Sequence, residues 1–93
     1  MEDLVPTEFY LSQNYPNPFK DKTTIKYCVP DKTLIKLTVL DPDMNIINEL
    51  ENEVKEAGTY EAEFDAGNMT NGTYYYRIEA GSYAETKRML LKR

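Results

Sequence analysis

The chain has 93 residues, sixteen acids against eleven bases, no histidine and one cysteine, for a net charge of −5. One small core fits this length, and a chain of this size buries roughly 60–70% of its unfolded surface. Lacking histidine, it holds no Ser-His or Cys-His pair, no HExxH motif and no two-histidine metal site; lacking a second thiol, it forms neither an internal disulfide nor a CxxC centre. The inventory points away from an enzyme, and no cofactor or metal is expected.

In chain order, residues 1–8 read as a linker that opens acidic, with Met1-Glu2-Asp3-Leu4 and no charged-then-apolar leader. Residues 9–93 read as one domain. No apolar run approaches the length of a transmembrane segment, and the acidic balance without a basic, aromatic-interleaved patch argues against nucleic acid. A short edge strand is expected near Tyr10–Gln13. The stretch Gln13-Asn14-Tyr15-Pro16-Asn17-Pro18-Phe19 follows, and its two X-Pro pairs force turn or extended geometry. It reads as a structural turn in which Tyr15 and Phe19 fold back as a plug on the edge of the core.

From there the apolar residues alternate. Thr24–Val29 offers Ile25, Tyr27 and Val29 to one side, which leaves Cys28 facing outward; Ile35–Asp41 offers Ile35, Leu37 and Val39, with Lys36 and Thr38 opposite. Asp41-Pro42-Asp43-Met44-Asn45 resembles the start of a calcium loop, but Ile46 stands where its glycine belongs and Asn52 where its last acid belongs, so it reads as a hairpin. Methionine tolerates a positive φ poorly, so either Asn45 takes the left-handed position there or the hairpin changes type. A weaker strand is expected over Ile46–Leu50.

The stretch from Glu49 to Asp65 holds seven acids and one lysine, a net of −6. Glu49, Glu51 and Glu53 alternate, as do Glu61, Glu63 and Asp65, so each trio is expected on one solvated strand face near Lys26 or Lys36, with a docking face for a basic partner as the functional alternative. Thr59–Asp65 turns Tyr60, Ala62 and Phe64 inward, and Thr73–Ala80 turns Tyr74, Tyr76, Ile78 and Ala80 inward. The sequons at Asn68 and Asn71 read as turn chemistry. A last strand over Tyr83–Lys92 ends with Lys87, Arg88, Lys92 and Arg93, a charge of +4 on seven residues. Met89 and Leu91 are expected to face the core, with Leu90 outward beside the bases, on a strand paired with the acidic body.

A period of two with one polar face, in runs punctuated every eight to twelve residues, is the pattern of half-buried antiparallel strands. About seven of them make an all-β, immunoglobulin-like antiparallel β-sandwich with Greek-key connections. Gly72 followed two residues later by Tyr74 reads as a tyrosine corner, with the hydroxyl bonding back to backbone near Gly67–Met69.

Taken together, these segments resemble the type A C-terminal sorting domain of the type IX (Por) secretion system of Bacteroidetes-type bacteria. The resemblance rests on Leu11–Phe19, Thr23-Thr24-Ile25-Lys26-Tyr27, Val29-Pro30, Leu37–Asp41, Ala57-Gly58-Thr59-Tyr60, Phe64-Asp65-Ala66, Asn71–Arg77 and Thr86–Lys92, and it covers about Phe9 to Lys92. It implies a sorting signal that directs an attached N-terminal cargo protein through the outer-membrane translocon. The cargo would cross the periplasm and end on the cell surface or secreted. A sortase-like cysteine protease would cleave the domain off upstream of Phe9. The recognition elements it implies are Ala57, Gly58 and Tyr60, Gly72 with Tyr74, and Lys87, Arg88, Met89, Leu90, Leu91 and Lys92. The alternative is a structural Ig-like spacer or interaction module of a secreted bacterial protein.

Overall fold

The alternation read from the sequence becomes seven strands in a computed structural model that describes residues 6–93: β1 (Tyr10–Leu11), β2 (Lys22–Val29), β3 (Thr33–Leu40), β4 (Ile46–Lys55), β5 (Gly58–Asp65), β6 (Gly72–Ala80) and β7 (Tyr83–Leu91). Of the expected linker, residues 1–5 lie outside the described residues, and Pro6, Thr7 and Glu8 belong to no strand.

The strands form two antiparallel sheets, β1-β2-β5 and β4-β3-β6-β7. This is an immunoglobulin-like sandwich in which the fourth strand joins the second sheet rather than the first, unlike the constant-type arrangement. The inward sets are those the period of two picks out: Ile25, Tyr27 and Val29 from β2, Ile35, Leu37 and Val39 from β3, Ala62 and Phe64 from β5, Tyr74, Tyr76, Ile78 and Ala80 from β6, Met89 and Leu91 from β7, all buried. Leu11, Phe19 and Ala66 complete this core. Thr38, expected to face solvent, is 1% exposed. It lies on the outer face of a central strand, flanked in register by Glu49 and Arg77, whose long stems shield it.

β4 departs most from expectation. It runs ten residues instead of five, and its pairing with β3 shifts register twice, between Leu37 and Thr38 and between Val39 and Leu40. A bulge adds one residue and reverses the side on which later residues point. Glu49 therefore pairs with Thr38 on the outer face, while Glu51 and Glu53 pair with Leu37 and Ile35 on the core-facing side. The three acids do not share a face. Lys26 lies 3.8 Å from Glu61, as anticipated, but Lys36 forms no ion pair among the described residues.

The hairpin after β3 also differs. Met44 itself takes the left-handed conformation, with φ 68°. The Asp41 carboxylate makes this tenable by accepting the Asp43 and Asn45 backbone N–H groups, each at 2.9 Å. Those bonds, led by the one from Asn45, hold the Asp41 pKa below its ordinary value.

Candidate functional site

The C-terminal strand is where the implied recognition residues are densest. β7 pairs with β6 along its whole length, so the basic strand is paired with the acidic body as expected, through β6 rather than through β4 or β5. Met89 and Leu91 are buried, while Arg88, Leu90 and Lys92 are exposed. Lys87 differs from the other bases: by parity it lies on the side of Met89, where its ammonium sits 3.4 Å from Glu85. Arg88 and Lys92 form no ion pair among the described residues.

The other edge of β7 is sealed by residues 13–19. The Gln13 amide donates to the Arg88 carbonyl at 2.6 Å, the Leu90 N–H donates to Asn17 Oδ1 at 3.0 Å, and Phe19 exchanges backbone bonds with Leu90 and Lys92 at 2.9 Å each. Phe19 anchors this strap with a side chain that is 0% exposed and meets Phe64 edge-on, with ring centroids 6.2 Å apart. Tyr15, expected to join it, is instead 80% exposed. The buried member is Asn14, whose amide donates to Thr23 Oγ1 at 3.0 Å and to the Pro16 carbonyl at 3.2 Å. A short polar side chain with fixed partners suits this turn better than a phenol, whose hydroxyl would need a partner inside. Between strap and strand runs a shallow groove of about 270 Å³, lined by Asn17, Pro18, Thr73, Arg88, Met89 and Leu90.

Arg93 extends the arrangement past the strand. Its backbone N–H donates to Asn71 Oδ1 at 3.0 Å, its guanidinium donates to the carbonyls of Gly67 and Met69, and Nε lies 3.3 Å from Asp21. The β5–β6 connection is thus tied to the chain's last residue. Sequence reasoning missed this clamp because the guanidinium's two carbonyl acceptors, on Gly67 and Met69, leave no trace in residue type.

The glycine-tyrosine motifs prove to be one device used twice. Tyr74 donates its hydroxyl to the Thr70 carbonyl at 2.7 Å, one residue beyond the expected Gly67–Met69, and Tyr60 does the same to the Glu56 carbonyl at 2.7 Å. Both reach back four residues, and both follow a glycine at a strand start. Gly72 has φ 153°, and a Cβ there would meet nothing within 4 Å, so the requirement is conformational rather than one of space.

These motifs lie far apart. β5 begins at Gly58 opposite Val29 and ends at Asp65 opposite Lys22, a run of about 23 Å at the usual strand rise; β6 then starts at the far end, where Gly72 pairs with Leu91. Gly72, Tyr74 and the end of β7 are therefore together, whereas Ala57, Gly58 and Tyr60 sit at the opposite end of the sandwich. Near them lies a group that the sequence did not reveal, in which Lys55 sits between Glu51 and Glu53 and over the Tyr60 ring.

Burial shapes the titration of the tyrosines. It pushes Tyr27 and Tyr76 up to about 12 and, with a hydrogen bond to Glu85, raises Tyr83 further. None is poised for proton transfer near neutrality. Among the described residues no group of three or more potential ligands is arranged to hold a metal, and no helix is long and apolar enough to cross a membrane.

Residues 13–92 match the family described as the secretion system C-terminal sorting domain. No curated protein and no solved structure matches the chain. The match spans most of the sequence, and the chain belongs to this family: it is a type IX C-terminal sorting signal, it engages the secretion machinery, and the protein that carries it is secreted or displayed at the cell surface. The family is one of sorting domains rather than catalysts.

Proposed function

We propose that residues 9–93 form the address label that the type IX outer-membrane translocon reads after cargo has entered the periplasm, and that the outward residues Arg88 and Leu90 of β7, with Lys92 just beyond it, make the contact. The cargo precedes the domain. A sortase-like cysteine protease then cuts in the linker before Phe9, releasing the cargo or leaving it on the surface. The reading is supported above all by the exposure of two cations that form no ion pair among the described residues, beside an exposed leucine and next to a core side fixed by Met89 and Leu91. Ala57, Gly58, Tyr60, Gly72 and Tyr74 act in this reading by holding the strand ends in shape.

A secretion assay in a bacterium with a type IX system tests it. The reporter carries an N-terminal export signal and residues Val5–Arg93. Truncation after Ala84 is a poor test, because it strips Met89 and Leu91 from the core and confounds folding with recognition. The paired variants Arg88→Glu and Lys92→Glu leave the core intact. Retention of the double variant in the periplasm, with an unchanged melting temperature for the purified domain, supports the assignment. Export equal to the parent places recognition elsewhere and overturns it.

A further inference from the structure

The two open sides of the sandwich are finished differently. On one side the strap closes the end of β7, and Phe9 stacks flat on Tyr83 with ring centroids 4.7 Å apart. On the other side β4 and β5, each the edge of its own sheet, lie next to each other, and among the described residues no strand pairs with the outer edge of either. This open wall carries Glu49, Glu51 and Glu53 on β4 and Glu61, Glu63 and Asp65 on β5. The cations near β5 are loosely held, with Lys26 and Lys22 3.8 and 3.9 Å from Glu61 and Glu63 and all four side chains well exposed. Among the described residues the Glu49 carboxylate forms no ion pair and accepts one hydrogen bond, from the Asn52 amide.

The bulge in β4 turns Glu51 and Glu53 toward the gap between the sheets. There Lys55 Nζ stands 2.6 Å from Glu53, 3.5 Å from Glu51 and 5.1 Å from the centre of the Tyr60 ring. Two carboxylates and an aromatic face make a cage suited to an ammonium or guanidinium ion, and with Lys55 inside it still carries one excess negative charge. At the back, Tyr60 stacks on Tyr27 at 5.5 Å. The Tyr27 hydroxyl is fully buried, lies in the field of Glu51, Lys55 and Glu53, and has no hydrogen-bond partner among the described residues. Folded proteins rarely leave such a group unpaired.

We propose that the β4–β5 wall is a docking surface for an extended, lysine- or arginine-bearing segment of a partner polypeptide, which adds as a strand to the free edge of β4 and brings a cation opposite Glu51 and Glu53. Side chains on a strand laid there alternate between the caged face and the outer face, where Val54 and its cross-strand partner Leu34 are 55% and 53% exposed. The segment that fits therefore alternates basic and apolar residues. A second copy of this chain is a poor occupant: β4 against β4 sets acid against acid, and the basic part of β7 is already closed by the strap. The surface lies across the sandwich from β7, so it is independent of the contact proposed for sorting.

Titrating the isotope-labelled chain with the peptide acetyl-Lys-Val-Lys-Val-Lys-Val-amide, followed by amide NMR shifts and hydrogen exchange, tests the proposal. The expected result is saturable shifts along β4 and at Tyr60, new protection of β4 amides, and weakening with salt. The double variant Glu51→Gln, Glu53→Gln should lose about tenfold in affinity, the equivalent of one charge-assisted contact, and Lys55→Met, which empties the cage, should gain. Tyr27→Phe keeps the ring and the fold and should weaken binding without altering spectral dispersion. Shifts spread over Glu61, Glu63 and Asp65 with no protection of β4, equal binding by the Glu51→Gln, Glu53→Gln variant, or equal binding of the Glu-Val counterpart peptide each overturn it.

Discussion

The strap over β7 is the feature whose removal tests the architecture most directly. Phe19 is 0% exposed, and truncating a buried phenylalanine to alanine costs about 3–5 kcal/mol. A domain of this size has roughly 5–14 kcal/mol in total, so Phe19→Ala removes a large share of it. At about 4–8 °C per kcal/mol, the melting temperature should fall by at least 12 °C. Asn17→Ala is the gentler probe, since it deletes only the acceptor of the Leu90 N–H and should cost about 1 kcal/mol. Urea denaturation gives both values, and amide exchange shows where they act. In Asn17→Ala the Leu90 amide should exchange faster, while Lys92, still bonded to the Phe19 carbonyl, keeps its protection. A Phe19→Ala loss below about 1 kcal/mol, or unchanged exchange at Leu90 in Asn17→Ala, would refute the strap as the element that closes β7.

Three further predictions concern single positions. Met44→Asn keeps the hairpin but suits φ 68° better, so stability measured in urea should rise by roughly 0.5–1 kcal/mol; a loss would mean that the Met44 side chain contributes contacts that outweigh the strain. Tyr27→Phe removes a buried hydroxyl that has no partner among the described residues and should leave thermal stability unchanged or raise it by about 1 kcal/mol, whereas a large loss would reveal a bound water satisfying the group. The lowered Asp41 pKa means that its contribution is fully present above the ordinary carboxylate pKa and is lost as pH falls through its depressed value. Asp41→Asn should therefore flatten the acid limb of the stability–pH profile, and an identical acid limb in parent and variant would show that the hairpin carboxylate is not responsible.

What could be read from the sequence follows from where the determining interactions lie. β2, β3, β5 and β6 were legible because burial of one face imposes a period of two on the residues themselves. β4 was not, because its two bulges break that period, and bulges depend on the partner strand rather than on β4's own composition. The same limit explains Tyr15 and Asn14: hydrophobicity favours burying the phenol, but the choice is made by Thr23 Oγ1 and the Pro16 carbonyl waiting for an amide. Met44 inverted the expectation because Asp41 supplies enough hydrogen bonds to hold a residue where its own preference is weak. In the candidate site, alternation correctly set Met89 and Leu91 against Leu90. It could not tell that the Ala57-Gly58-Tyr60 and Gly72-Tyr74 motifs occupy opposite ends of the molecule, since that follows only from the order of strands in the sheets.

This separation constrains how a sorting signal of this family can be read. One binding surface of ordinary size covers only part of the molecule, and a contact centred on the end of β7 does not also reach Gly58 about 23 Å away along β5. Gly72 needs its positive φ, and Tyr74 and Tyr60 each spend their hydroxyl on a carbonyl four residues back. Hydroxyls committed in this way shape the backbone and are not free to bond the translocon. Arg88, Leu90 and Lys92 differ in kind: their backbone is held by β6 and the strap, while among the described residues their side chains make no hydrogen bond or ion pair. A rigid strand with free side chains loses little entropy when it is bound. Substituting Gly72 and substituting Arg88 should therefore fail in different ways, the first by lowering stability and the second by leaving a fully folded domain that is not exported.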